Sequence, residues 1–198
     1  MVQNDKQIRD LVFADFPMIT PFVEQLVRKD NEKKVLSYGI SSYGYDVRLT
    51  DEPEEVKIFH NLNGSVIDPK RFDASNLLIS AKIQKDEDGA LFVILPPSSY
   101  LLGKTVEYFR IPRDIQVIAI GKSTYARSGV LINCTPIEAG FEGHVVIEVA
   151  NSTPSPVRIY LMEGIAQFIF FKGEPCENSY SDRNFKYQGQ TGLQLPLV

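Results

Sequence analysis

The 198-residue chain has no tryptophan, two cysteines and two histidines. Each scarcity closes off a chemistry. Cys134 and Cys176 alone cannot build a disulfide framework, and a reducing, cytoplasmic setting fits best. His60 and His144 are too few for a histidine cage, and there is no Cys-x-x-Cys; Pro175–Cys176 runs on into Glu177, Asn178 and Ser179. A tightly held zinc is therefore not expected. A Ser–His–Asp nucleophile system is equally poorly supplied, and GxSxG is absent. Long apolar runs are missing as well. None approaches the length that crosses a bilayer, and the start, MVQNDKQIRD, has no apolar leader-type region. Nor is there an excess of positive charge: the net value is −4, so neither nucleic acid nor an anionic membrane is an expected partner.

What remains is enough for one domain with a sizeable core. Asp5 to Phe16 reads as a short amphipathic helix, with Ile8, Leu11, Val12 and Phe16 at helical spacing and Pro17 ending it. After that the signals are strand-like and short: residues 36–49 with Gly39 and Gly44 as tight-turn points, then Val56–Phe59, Val66–Asp68, Leu77–Ile83, Ala90–Leu95, Tyr100–Val106, Ile115–Ile120, Val157–Leu161 and Ile165–Phe171. Turns are expected between them, one at Asn61–Gly64. Many short strands with Pro, Gly and Asn between them and little helix predict an all-β sandwich, jelly roll or barrel.

The stretch from Gly121 to Asn151, GKSTYARSGVLINCTPIEAGFEGHVVIEVAN, carries most of the chemistry. Between His144 and Ala150 the alternation puts Val145, Ile147 and Val149 on one strand face, and His144, Val146 and Glu148 on the other. A carboxylate inside so apolar a run is either a solvated surface group or one held in an environment that raises its pKa toward general-base use. Upstream, Lys122 to Ser128 reads as one or two helical turns stopped by Gly129, with Ser123 and Arg127 on one face. Such a turn either presents cations and backbone N–H groups to an anion or is an ordinary surface turn. Asp46 and Arg48 share a strand face and read as a structural ion pair, a subunit contact or part of a site. Gln167, alone in IAQFIFF, is either a satisfied core amide or a ligand contact. The tail 180–198, YSDRNFKYQGQTGLQLPLV, has the glycines and aromatics of a flexible flap, or of a frayed terminus.

Three segments together resemble the dCTP deaminase branch of the dUTPase-like superfamily: ISSYGYDVRL (40–49), VEYFRIPR…IGKSTYARSGVLINCTPIEAGFEGHVVIEVAN (106–151) and IAQFIFF…SYSDRNFKYQGQ (165–190). The resemblance spans nearly the whole chain. It implies a single domain, residues 1–198, with a distorted jelly-roll or β-barrel fold and a C-terminal flap, 180–198, over the active site. It also implies a homotrimer with active sites between subunits, and zinc-independent hydrolysis of dCTP, as its magnesium complex, to dUTP and ammonia for thymidylate synthesis. dTTP is implied as a feedback inhibitor. By position Glu148 matches the family's general base, while Ser123 and Arg127 match its active-site pair. Lys122, Ser123, Thr124, Tyr125, Ala126 and Arg127 match the phosphate-binding segment, and Val146 and Ile147 the base-contacting strand. Gln167, Tyr180, Lys186 and Gln190 match contacts to triphosphate or base, and Glu138 falls near the deoxyribose. One departure matters. Many relatives read Glu-Pro-Glu-Trp-Glu-Gly where this chain has Glu138–Ala139–Gly140–Phe141–Glu142–Gly143, and this chain's Ala-Gly-Phe version is closer to dUTPases and bifunctional enzymes. A bifunctional deaminase and dUTP diphosphatase, or a non-catalytic nucleotide-binding trimer, are the alternatives.

Overall fold

The computed structural model describes residues 1–198 except Asn31, 61–63, Ser65, Asn184 and Val198. Among the described residues there are fourteen strands and three α-helices, every strand pair antiparallel. The all-β expectation holds. The first sheet is built on its two longest strands, β9 (Tyr100–Arg110) and β12 (Glu142–Asn151). Beyond β12 lies β11 (Val130–Asn133). Beyond β9 come β5 (Val56–Phe59) and β6 (Leu78–Ser80), with the two-residue β1 (Ile19–Thr20) also pairing to β9. The second sheet runs β10 (Ile115–Gly121), β14 (Gly164–Lys172), β4 (Gly44–Arg48), β3 (Lys33–Ser41) and β2 (Val27–Asp30). A three-stranded sheet orders β13 (Val157–Tyr160), β8 (Leu91–Leu95) and β7 (Gln84–Lys85). None of the sheets closes on itself, as in a distorted jelly roll.

Period-2 alternation explains the core. In β12 buried and half-exposed residues alternate without a break, placing Val145, Ile147 and Val149 inside. Phe168 and Phe170 of β14 are fully buried with them, and the Phe109 and Phe168 rings meet at 5.1 Å. Among the charged residues buried against this core, Glu107 of β9 is fully enclosed. Its carboxylate accepts from Arg48 Nε at 2.8 Å and from the Arg48 backbone N–H at 3.0 Å.

Several expectations need correction. The first helix, α1 (Asp5–Val12), ends four residues earlier than its apolar spacing predicts, and Phe16 is exposed. Burial of Met18 and Ile19 in the sheet decides this, because the chain must turn back between residues 13 and 17 to deliver them. The start of α1 carries a signal that periodicity misses: Asn4 and Gln7 form a reciprocal capping box. Val66–Asp68 is not a strand; Val66 is 90% exposed and has no sheet to join. Leu77–Ile83 divides into the end of α2 (Ala74–Leu77), β6 and irregular chain. The turn expected at Asn61–Gly64 lies, Gly64 apart, outside the described residues. No helix among the described residues is long and apolar enough to cross a membrane.

Candidate active site

The face of β12 turned away from the core looks into a cavity of about 460 Å³, lined by Val146, Glu148, Glu138, Cys134, Tyr180 and Gln190 among others. Glu148 is half-buried there, and burial pushes its carboxyl above the ordinary carboxylate range. A bond from Asn133 Nδ2 to Oε2 at 2.9 Å pulls the other way but does not cancel it. Asn133 is the residue of β11 directly opposite Glu148 in the ladder, so the pair is set by register. Nearby, burial and the charge of Glu148 push the Cys134 thiol up to about 12, which leaves it neutral at physiological pH.

The strand is re-aimed at its start. Between His144 and Val146 the β9–β12 register shifts, and Thr105 fills the gap. Its hydroxyl accepts from the Val145 N–H at 2.9 Å and donates to the Glu107 carbonyl at 2.7 Å. His144 Nδ1 lies 3.0 Å and 3.1 Å from the carbonyls of Thr105 and Glu107; both accept, so Nδ1 carries the proton. Burial first, and Lys104 second, hold this imidazole below its usual pKa. His144 is thus a strut of the strand.

The tail forms the opposite wall. His144 N–H donates to the Gln190 carbonyl at 2.9 Å, and Gly189 N–H to the Glu142 carbonyl at 2.7 Å, so the tail docks beside the bulge. Gly143 permits this approach. At φ 147° it occupies a region side chains disfavour, and a Cβ there would meet Gln190 O at 3.0 Å. Gln190 is buried; its Nε2 donates to the His144 carbonyl, while Oε1 has no hydrogen-bond partner among the described residues. That leaves an acceptor without a bond among the cavity-lining residues, a costly arrangement without a ligand donor. Tyr180 meets Phe141 edge-on at 5.6 Å and Phe185 at a tilt at 4.8 Å, and Lys186 donates to the Leu197 carbonyl. Glu138 lies on the exposed rim.

The Lys122–Arg127 segment is elsewhere. Here α3 (Ser123–Arg127) follows β10 and stops where Gly129 adopts φ 72°. Tyr125 is buried and its hydroxyl accepts from Tyr160 N–H at 2.9 Å, pinning the helix to the core. Ala126 and Arg127 are exposed. Lys122, Ser123, Thr124 and Gln167 border a second cavity, of about 650 Å³, with Arg28, Lys29, Lys34, Ser37 and Asp46. Lys122 is ion-paired with the buried Asp46, and Gln167 Nε2 donates to Asp46 Oδ1 at 3.1 Å and to Ser41 Oγ at 2.9 Å. Asp46 and Arg48 are therefore both in ion pairs, each with a different partner.

Within one chain the expected residues fall into two groups. Glu148, Val146, Glu138, Tyr180, Lys186 and Gln190 share the first cavity; Lys122, Ser123, Thr124 and Gln167 share the second. Ile147 points into the core. No hydrogen bond or ion pair joins Ser123 or Arg127 to Glu148 among the described residues; Asn133 is the partner found instead. Asn133, Thr105, Cys134 and Tyr187 are site residues that sequence reasoning passed over.

The fold and these two cavities define an antiparallel β-sheet domain of the dCTP deaminase-like class: the model of that family matches residues 2–173, and the chain belongs to it. Its relatives are enzymes. The dCTP deaminase of Dichelobacter nodosus is 48% identical over 196 residues, covering 98% of both chains. That of Rickettsia bellii is 49% identical over 198 residues, covering 100% of this chain and 99% of its own. Among solved structures, a 2′-deoxycytidine 5′-triphosphate deaminase from Agrobacterium tumefaciens shares the fold, with a TM-score of 0.53 at 16% identity, covering 89% of this chain and 50% of that one.

Proposed function

We propose that this chain hydrolyses dCTP, as its magnesium complex, to dUTP and ammonia, with Glu148 as general base. The observation that carries the reading is the environment of Glu148: a carboxyl raised by burial, facing a cavity among amide and apolar groups. Glu148 takes a proton from water, whose oxygen bonds to C4 of cytosine. That proton passes to N3, the second comes off the new C4 hydroxyl and reaches the exocyclic amine, the bond from C4 to that amine breaks, and ammonia leaves as the C4 carbonyl forms. The unpartnered Gln190 Oε1 suits an N–H donor on the base, and the backbone of Val146 and Ile147 reads the pyrimidine edge. Asp46 is committed to Lys122 and Gln167, so magnesium is proposed to arrive on the triphosphate.

The separation of the two cavities supports a homotrimer in which Ser123 and Arg127 of one subunit complete the Glu148 cavity of the next. Exposed Ile118, Ile120 and Leu131, on adjoining β10 and β11, supply apolar surface for such a contact. dTTP, which shares the triphosphate and a similar ring, is proposed as an inhibitor of the same site.

Incubation with dCTP and magnesium, followed by chromatography, tests the reaction. Ammonia and dUTP in equal amounts are expected; dUMP with pyrophosphate would establish the bifunctional alternative, and unchanged dCTP would sink the enzyme reading. A second expectation concerns Asn133→Leu. Its amide stabilises the charged form of Glu148, so its loss raises the Glu148 pKa further. A base works deprotonated, so the acid limb of kcat against pH is expected to move to higher pH, and an unmoved limb would remove Asn133 from this role.

A further inference from the structure

The second cavity is more cationic than the phosphate-binding segment requires. Besides Lys122 it is lined by Arg28, Lys29 and Lys34, all from the β2–β3 hairpin, in a chain whose net charge is −4. Its one lining carboxylate, Asp46, is neutralised by Lys122. The contacts of each side chain decide which hairpin cations take part. Lys33 is engaged with the Asp88 carbonyl, whereas Lys34 lines this cavity as well as the neighbouring one that Lys33 borders. Lys29 is partly committed, 3.9 Å from Glu32. Arg28 and Lys34, which have no ion pair among the described residues, therefore face α3 across the basin.

We infer that Arg28 and Lys34 bind the distal phosphates of the nucleotide and make the enzyme select a triphosphate over shorter phosphate chains. The inference rests on the deaminase reading for the source of the phosphate chain, but the basin itself would hold any linear polyphosphate. Ser123 and Thr124 face the same space from α3, so the chain would lie between helix and hairpin. A guanidinium and an ammonium suit the most highly charged end of that chain.

The test compares Arg28→Gln/Lys34→Gln with Lys33→Gln, a variant of the same hairpin whose charge points elsewhere. For the double variant KM for dCTP is expected to rise about tenfold or more, with kcat within about twofold and any turnover of dCMP unaffected. Lys33→Gln is expected to change neither. Calorimetry with inorganic tripolyphosphate provides a readout independent of turnover: its affinity for the double variant falls in parallel. If neither KM nor tripolyphosphate affinity changes, or if Lys33→Gln reproduces the effect, the inference is overturned. If the unmodified protein binds tripolyphosphate through these residues yet releases no ammonia from dCTP, the deaminase reading fails and the basin stands.

Discussion

Replacing Glu148 by Gln is expected to lower kcat for dCTP deamination by about a thousandfold, within the usual range for loss of a positioned general base. The amide keeps the shape and accepts from Asn133 as before, but it cannot take a proton from water. Binding of dCTP is expected to survive, which calorimetry would register. The fold is expected to gain. Because the folded-state pKa of Glu148 is raised, its charged form is less favourable in the native chain than in the unfolded one. Its contribution to stability therefore falls as pH rises from the unfolded pKa through the folded one, and at neutral pH the Gln variant escapes that cost. A melting temperature at pH 7 equal to or above that of the parent fits this account. A marked drop would mean the carboxylate is structural. Mixing Glu148→Gln chains with Arg127→Ala chains tests the proposed shared site: if the protein is the proposed trimer, some interfaces of mixed assemblies would carry both intact halves and recover activity. No recovery after exchange of subunits would argue that each site lies within one chain.

The second large effect is on stability. Glu107→Ala is expected to cost about 3–5 kcal/mol, since it leaves the Arg48 guanidinium without its carboxylate beside a fully buried position. For a chain of this size that corresponds to a fall of roughly 6–20 °C in melting temperature. Burial pushes the Glu107 carboxyl up while Arg48 draws it back down. Tyr45, 3.5 Å away through its hydroxyl, shares the environment. Replacing both partners, Arg48→Met with Glu107→Leu, is expected to cost much less than the single change. Calorimetric unfolding of the two variants beside the parent measures this directly, and equal losses in the single and double variants would refute it.

The legible parts of this chain are those governed by local rules. Alternation alone places Val145, Ile147 and Val149 inside β12 and Glu148 on its other face, as the strand's burial bears out. The helical turn after β10 and its stop at Gly129 were equally readable, because a positive φ leaves a sequence mark. What escaped depends on distance. Nothing between residues 133 and 148 announces that Asn133 lies opposite Glu148; eight residues of irregular chain separate the two strands, and register across such a loop cannot be counted. Likewise Asp46 and Arg48 read as an ion pair, a subunit contact or part of a site, whereas topology brings Lys122, at the start of α3, to the first and Glu107, on β9, to the second. Helix α1 shows the reverse error: Phe16 keeps the helical spacing, but burial of Met18 and Ile19 outweighs it. The family resemblance grouped residues that, within one chain, lie in two cavities.

The unbroken alternation of β12 has a consequence for how this enzyme can change. One edge of the ribbon is inventory for the core and the other is reactive surface, so a slip of a single residue against β9 would carry Glu148 inside and turn Ile147 and Val149 out. Such a chain would lose its chemistry and its solubility in the same event. Insertions or deletions within residues 146–150 are therefore expected to be lethal rather than graded, and useful variation is confined to swaps that keep the count. The irregular step at 144–146 is the one place on the strand where the count is already relaxed, and a designer wishing to move the carboxylate would begin there.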